Sequence, residues 1–147
     1  MFLRRLRSFG ALTSGDRALA LRAILWLGLM RVALPLVSLQ RLRSWTERRA
    51  VLHAERQPAS VREIRRAMSR AERTLPSATC LARSLAAELL LRSAGHTTRL
   101  SIGVADPTKR ELSLDAHAWI ESDGLVVAGD NAELGRYSVL VTFSSPT

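Results

Sequence analysis

Thr74–Gly95 reads TLPSATCLARSLAAELLLRSAG, and its reading decides the architecture. Leu75-Pro76 ends any helix before it, because proline drives the preceding residue out of the helical region. Ser77 or Thr79 can cap a new helix, and Gly95 provides a left-handed stop. Between these signals the charges Arg83, Glu88 and Arg92 do not gather on one face, and apolar residues fill the remaining directions. A helix of that kind is buried on several sides, so this one is predicted to be central. Its first turn holds Cys80, the only cysteine of the chain.

Downstream the hydrophobic period changes from 3.6 to 2. Leu100, Ile102 and Val104 alternate with Arg99, Ser101 and Gly103, and Asp106-Pro107 makes a turn. Leu114–Glu121 reads as a second strand, Leu125–Ala128 as a third and Tyr137–Phe143 as a fourth. The expected fold class is α+β: a central helix on an antiparallel sheet, preceded by a helical N-terminal section.

Upstream, Gln57-Pro58-Ala59-Ser60 is a break. Ser60 caps VREIRRAMSRAERTL, with Glu63 completing a capping box. Val61, Ile64, Ala67, Met68 and Ala71 form an inward stripe, and Arg62, Arg65, Arg66, Arg70 and Arg73 face outward. Such an arginine face is ordinarily a solvated one. With no aromatic interleaving and no reading motif, nucleic-acid binding is not expected. Before the break, helices are predicted over roughly 14–34, capped by Ser14, and 36–53. The chain thus divides into a basic helical section, 1–57, suited to docking, and a core, 58–147.

The apolar run Ala23–Met30 is bounded by Arg22 and Arg31 and followed by Pro35. That is too short to span a bilayer, and no cleavage site of a signal peptide follows. A peripheral membrane contact through the Arg/Leu/Trp faces is the lesser alternative to docking on protein. The 147 residues suffice for one well-built domain. A lone cysteine forms no internal disulfide, which fits a cytoplasmic protein. The formal charge is +9, and it is uneven: residues 1–73 hold 16 Arg against 5 Asp/Glu, and residues 74–147 hold 6 Arg/Lys against 8 Asp/Glu. Asymmetry of this kind points to a partner surface on the first half.

The chemistry is expected where the helix and sheet meet. Asp123-Gly124 between two strands signals a two-residue type I′ hairpin. In that register Ser122 pairs with Leu125, Ile120 faces Val127, Ala118 faces Gly129 and His117 faces Asp130. A carboxylate opposite an imidazole can bond one ring nitrogen and leave the other free to take a proton. Asp115, two residues before His117, is the weaker alternative. Taken singly, each residue has an ordinary structural role. Together they suggest Cys80 as nucleophile, His117 as proton shuttle and Asp130 as orienting acid, because helix N-terminal N–H groups favour an anion and can receive an oxyanion. His53, His96, His117 and Cys80 lack paired ligand spacing, so no metal is expected, and no phosphate-cradling loop is present. No cofactor is expected.

TCLARSLAAELLLRSAG, LSIGV, AHAWIE and the DG and GD pairs together resemble the transglutaminase-like cysteine peptidases of lasso-peptide biosynthesis. The closer likeness is to the stand-alone protease half of the split leader-peptidase system, and it is strongest over about residues 60–130. The resemblance implies a transglutaminase/papain-like core and a cytoplasmic peptidase that removes the leader from a ribosomally made precursor. It also implies a small leader-binding partner protein, and a separate ATP-dependent cyclase that acts next and is a further docking candidate. Carried over, Cys80 is the nucleophile, His117 the base and Asp130 the orienting acid. An amide-forming acyltransferase on the same scaffold and a non-catalytic adaptor are the competing readings. Papain-like enzymes often add an upstream glutamine; here the nearest is Gln57, so backbone groups are expected to bind the oxyanion.

Overall fold

The computed structural model describes residues 13–52, 58–105, 115–130 and 134–145. The expected break at Gln57, the Asp106-Pro107 turn, His53 and the strand start at Leu114 lie outside them.

Helix α1 spans Ser14–Ala33 and α2 spans Leu39–Leu52. Thr13, not Ser14, caps α1: its Oγ1 accepts from the Asp16 N–H at 3.2 Å. Helix α2 starts three residues later than expected. Leu36 and Val37 both donate backbone bonds to the Ala33 carbonyl, so the chain around Pro35 forms a turn rather than a helix start. Trp26 and Trp45 then lock the two helices edge to face at 5.9 Å.

Helix α3, Val61–Thr74, has the expected capping box. The Ser60 N–H donates to Glu63 Oε2 at 2.7 Å, and the Glu63 N–H donates to Ser60 Oγ at 3.3 Å. The hydrogen bonds from Ser60 hold the Glu63 carboxyl below its ordinary value. Val61, Ile64, Ala67, Met68 and Ala71 are all buried, as the stripe requires.

Helix α4, Cys80–Ser93, is the centre of the molecule. Every residue from Leu85 to Leu91 is buried, Glu88 included. Thr79 is its cap. Its other end closes in a Schellman motif: the Gly95 N–H bonds Arg92 O, the His96 N–H bonds Leu91 O, and Gly95 has φ +81°. Glu88 is tolerated because Arg43 of α2 lies 3.3 Å from its Oε1 and Arg92 lies at 3.9 Å. Burial still outweighs both cations and raises its carboxyl above the usual range. The Arg43 guanidinium also covers the Phe143 ring at 4.1 Å.

The sheet has strands β1 (Arg99–Ala105), β2 (Ala116–Ser122), β3 (Leu125–Ala128) and β4 (Tyr137–Ser144), in the order β3-β2-β1-β4 with all neighbours antiparallel. A short 3₁₀ turn, Leu134–Arg136, precedes β4. Leu100, Ile120, Val127 and Ala128 join one hydrophobic core with residues of all four helices. The fold is therefore α+β, as expected.

The hairpin turn is the expected one, with Asp123 and Gly124 both at positive φ. The register agrees for Ser122–Leu125 and for Glu121–Val126, then slips. Ile120 lies opposite Ala128, not Val127, because β3 contributes one extra residue at this point. The expected pairs Ala118–Gly129 and His117–Asp130 are not ladder pairs. Gly129 instead turns in the left-handed region, φ +77°, with its backbone pressed on β2; a Cβ there would lie 2.3 Å from the Ala118 carbonyl.

Candidate active site

Cys80 is the first residue of α4 and is partly exposed, as a free thiol. Of the four first-turn N–H groups, Ala82 donates to Thr79 Oγ1 and Arg83 to the Thr79 carbonyl. Those of Cys80 and Leu81 have no acceptor among the described residues. The helix thus begins with two unpaired donors beside the sulfur-bearing residue, where the positive end of the dipole lies.

His117 belongs to the sheet against which α4 packs. Helix α4 packs on β2 and β3. Ser122, at the far end of β2, donates to the carbonyl of Thr97 just beyond α4, at 2.7 Å. From there the helix rises about 20 Å back to Cys80, and β2 runs about 17 Å back to His117. Among the described residues no hydrogen bond joins Cys80 to His117.

His117 is tightly framed. Its Nε2 lies 2.7 Å from the Gly129 carbonyl. A carbonyl only accepts, so Nε2 carries the proton and Nδ1 keeps the lone pair. The ring stacks on Tyr137 at 5.1 Å and on Trp119 at 6.2 Å between centroids. An imidazole so held has one tautomer and one basic nitrogen.

Asp130 follows Gly129 directly, but its carboxylate turns to α3, where the Arg65 guanidinium donates to Oδ2 at 3.1 Å. It is 54% exposed. The structure thus joins His117 to the Gly129–Asp130 corner through the Gly129 carbonyl and not through the Asp130 side chain. Asp115 is engaged elsewhere: it accepts from Arg136 and, at 3.2 Å, from the Tyr137 hydroxyl. Its link to His117 is the Tyr137 ring.

Charge ties α3, α4 and Asp130 together. Glu72 of α3 feels Arg83, three residues past Cys80, as well as Arg73 and Asp130; burial outweighs the arginines and raises its carboxyl above the ordinary value. Arg83 itself is anchored on the Pro76 carbonyl at 3.0 Å.

Sequence reasoning missed Gly129, Tyr137 and Arg65 as parts of this site. The Gly-Asp pair after a strand was a visible cue for a backbone that approaches closely. Arg65 and Tyr137 come from distant segments and left no local signal. His96, a metal candidate weighed above, is committed to structure: its Nε2 bonds the Ala59 carbonyl at 2.8 Å and ties α3 to the end of α4.

A family profile described as the transglutaminase-like superfamily matches residues 24–142, most of the chain. The chain belongs to the transglutaminase-like superfamily. Members of that superfamily are generally cysteine peptidases or acyltransferases. The matched region starts inside α1 and ends in β4, so the transglutaminase-like unit includes most of the helical section as well as the Cys-helix and sheet. No curated protein and no solved structure matches the chain.

Proposed function

We propose that this transglutaminase-like protein is a cysteine peptidase that cuts the leader from a ribosomally made lasso-peptide precursor. The observation that supports it most is the His117 frame: one ring nitrogen is committed to Gly129, which leaves the other to take a proton, on the sheet against which the Cys80 helix packs. In this reading the Cys80 sulfur attacks the scissile carbonyl as its proton passes to Nδ1 of His117. The free N–H groups of Cys80 and Leu81 receive the oxyanion. Collapse of the adduct breaks the C–N bond, and the imidazolium gives its proton to the departing amine. Water, deprotonated by His117, then cleaves the thioester and restores the thiol. Asp130, held by Arg65, orients His117 through the Gly129 carbonyl that precedes it in the chain.

The basic helical section is the proposed docking region for the leader-binding partner. Leu21, Leu25, Leu29 and Val32 form an exposed apolar stripe along α1, with Leu21 and Leu25 more than 60% exposed. Among the described residues no helix is long and apolar enough to cross a membrane.

The test is mass spectrometry of the precursor incubated with this protein and the leader-binding partner. Hydrolysis gives two fragments that together weigh one water more than the precursor. Cys80→Ala and His117→Ala should each lower the rate at least a thousandfold with an unchanged circular dichroism spectrum. An amine-adduct product without that added water would assign an acyltransferase, and full activity of Cys80→Ala would overturn a thiol mechanism.

A further inference from the structure

Alongside the candidate site lies a groove of about 850 Å³ between the outer face of α3 and β3. Arg62, Arg65, Arg66, Arg70 and Arg73 line it together with Leu125. Arg62, Arg66, Arg70 and Arg73 recur every three or four residues, with Arg65 beside them, so the five share one broad helix face. Two features set this row apart from an ordinary solvated face. The groove's one acid, Glu63, hydrogen-bonds the Ser60 cap and sets a single negative charge, felt by Arg66, against five guanidiniums. Arg62, Arg66 and Arg70 have no ion-pair partner among the described residues. The row is also continuous with the site, since Arg65 reaches the Asp130 carboxylate.

We propose that this groove binds an acidic segment of the peptide substrate, in extended form, next to the bond that is cut. The proposal rests on the peptidase reading for its substrate class. The complementarity is direct: unpaired guanidiniums offer forked donors that match carboxylates. From Arg62 to Arg73 the helix rises about 16 Å, which about five residues of extended peptide would span. No aromatic residue lines the groove, so it lacks the stacking platforms that single-stranded nucleic acid needs. Leu125 gives one apolar contact, as for a peptide with a single hydrophobic side chain among its acids.

The experiment is fluorescence anisotropy with the full-length protein and a fluorescein-labelled, glutamate-rich synthetic peptide. A lysine-rich peptide of the same length and a labelled single-stranded oligodeoxynucleotide serve as the other probes. Arg62→Gln/Arg66→Gln/Arg70→Gln should weaken binding of the glutamate peptide at least tenfold. Arg31→Gln/Arg41→Gln/Arg48→Gln removes the same charge from α1 and α2 and should weaken it less than twofold. Arg62→Lys/Arg66→Lys/Arg70→Lys keeps the charge and should retain binding within a few-fold, with circular dichroism verifying the fold of each variant. Binding should fall with added salt, and the lysine peptide should not bind. Equal losses in the two glutamine triples would overturn the proposal, because net charge alone would then explain binding. An oligonucleotide that binds more tightly than the peptide and is lost with the groove triple would overturn it in favour of nucleic acid. The two readings fail separately. If the groove triple binds the glutamate peptide normally while Cys80→Ala abolishes cleavage, only the groove proposal falls. If the triple loses the peptide but no precursor is ever cut, the peptidase falls and the acidic-peptide surface remains.

Discussion

The two ends of α4 are built to opposite specifications. At its C-terminal end every device for closing a helix is present: the Schellman bonds around Gly95, a 2.8 Å bond from Ser93 Oγ to the Leu89 carbonyl, and His96 bridging to α3. One turn inward, Arg43 and Arg92 hold the buried Glu88. At the N-terminal end the chain stops short of closure. Thr79 satisfies one first-turn donor through its side chain, and among the described residues those of Cys80 and Leu81 have no acceptor, beside a partly exposed thiol. One end is closed by several contacts, and the other, among the described residues, by Thr79 alone. Residues of the closed end should move stability alone, and residues around the open end should move chemistry.

The strongest way to break that contrast is Gly129→Ala. Gly129 belongs to the open end, yet its added Cβ would meet the Ala118 carbonyl at 2.3 Å and require a left-handed conformation. The substitution should cost about 3 kcal/mol in urea unfolding. Because the same residue's carbonyl fixes His117, any protein that remains folded should lose about a hundredfold in cleavage rate.

Next in size is Arg43→Ala at the closed end. It removes the nearer of the two cations that hold a fully buried carboxylate, leaving only Arg92 at 3.9 Å, and should cost about 3 kcal/mol if Glu88 stays charged, less if it takes up a proton. Cleavage per folded molecule should not change. Glu88 also gives a pH signature. Its folded carboxyl titrates above the ordinary 4.5, so the folded state holds its proton more firmly than the unfolded chain does. Between those two values its contribution to stability falls as pH rises, and acidification through that window restores it. The pH slope of Tm should therefore be smaller in Glu88→Gln than in the wild type, and larger in Arg43→Ala. Equal slopes would show that Glu88 is not the group responsible.

The smallest expected effect is Gly95→Ala. It forces a Cβ into φ +81° with open space around it, so only conformational strain is added, about 1 kcal/mol. Thermal unfolding should register it, and activity at room temperature should not.

The closed features of the molecule were the legible ones. Ser60 with Glu63, Thr79, Gly95 and Asp123-Gly124 act over three or four residues, so their spacing announces caps and turns before any tertiary contact is known. The buried stripe of α3 and the all-round burial of α4 followed from periodicity. What escaped depends on contacts between distant segments. The slip after Glu121 is a property of two strands at once, set by the extra residue in β3 and the approach of Gly129 to Ala118. It moved Asp130 out of line with His117 and left Arg65, from a helix about 65 positions earlier, as its partner. Cys80 and His117 could be nominated by residue type and by element. Which ring nitrogen is basic could be read only once the Gly129 carbonyl was in place.

The proposed mechanism requires the Cys80 sulfur of α4 and the His117 ring of β2 to act as one pair. The most direct measurement is the iodoacetamide alkylation rate of Cys80 at about pH 6, followed by mass spectrometry in wild type and in His117→Ala. The pair predicts rapid labelling in the wild type and at least a tenfold slower reaction without the imidazole. Equal rates in the two proteins would mean that His117 does not activate Cys80, and the proposed mechanism would be wrong.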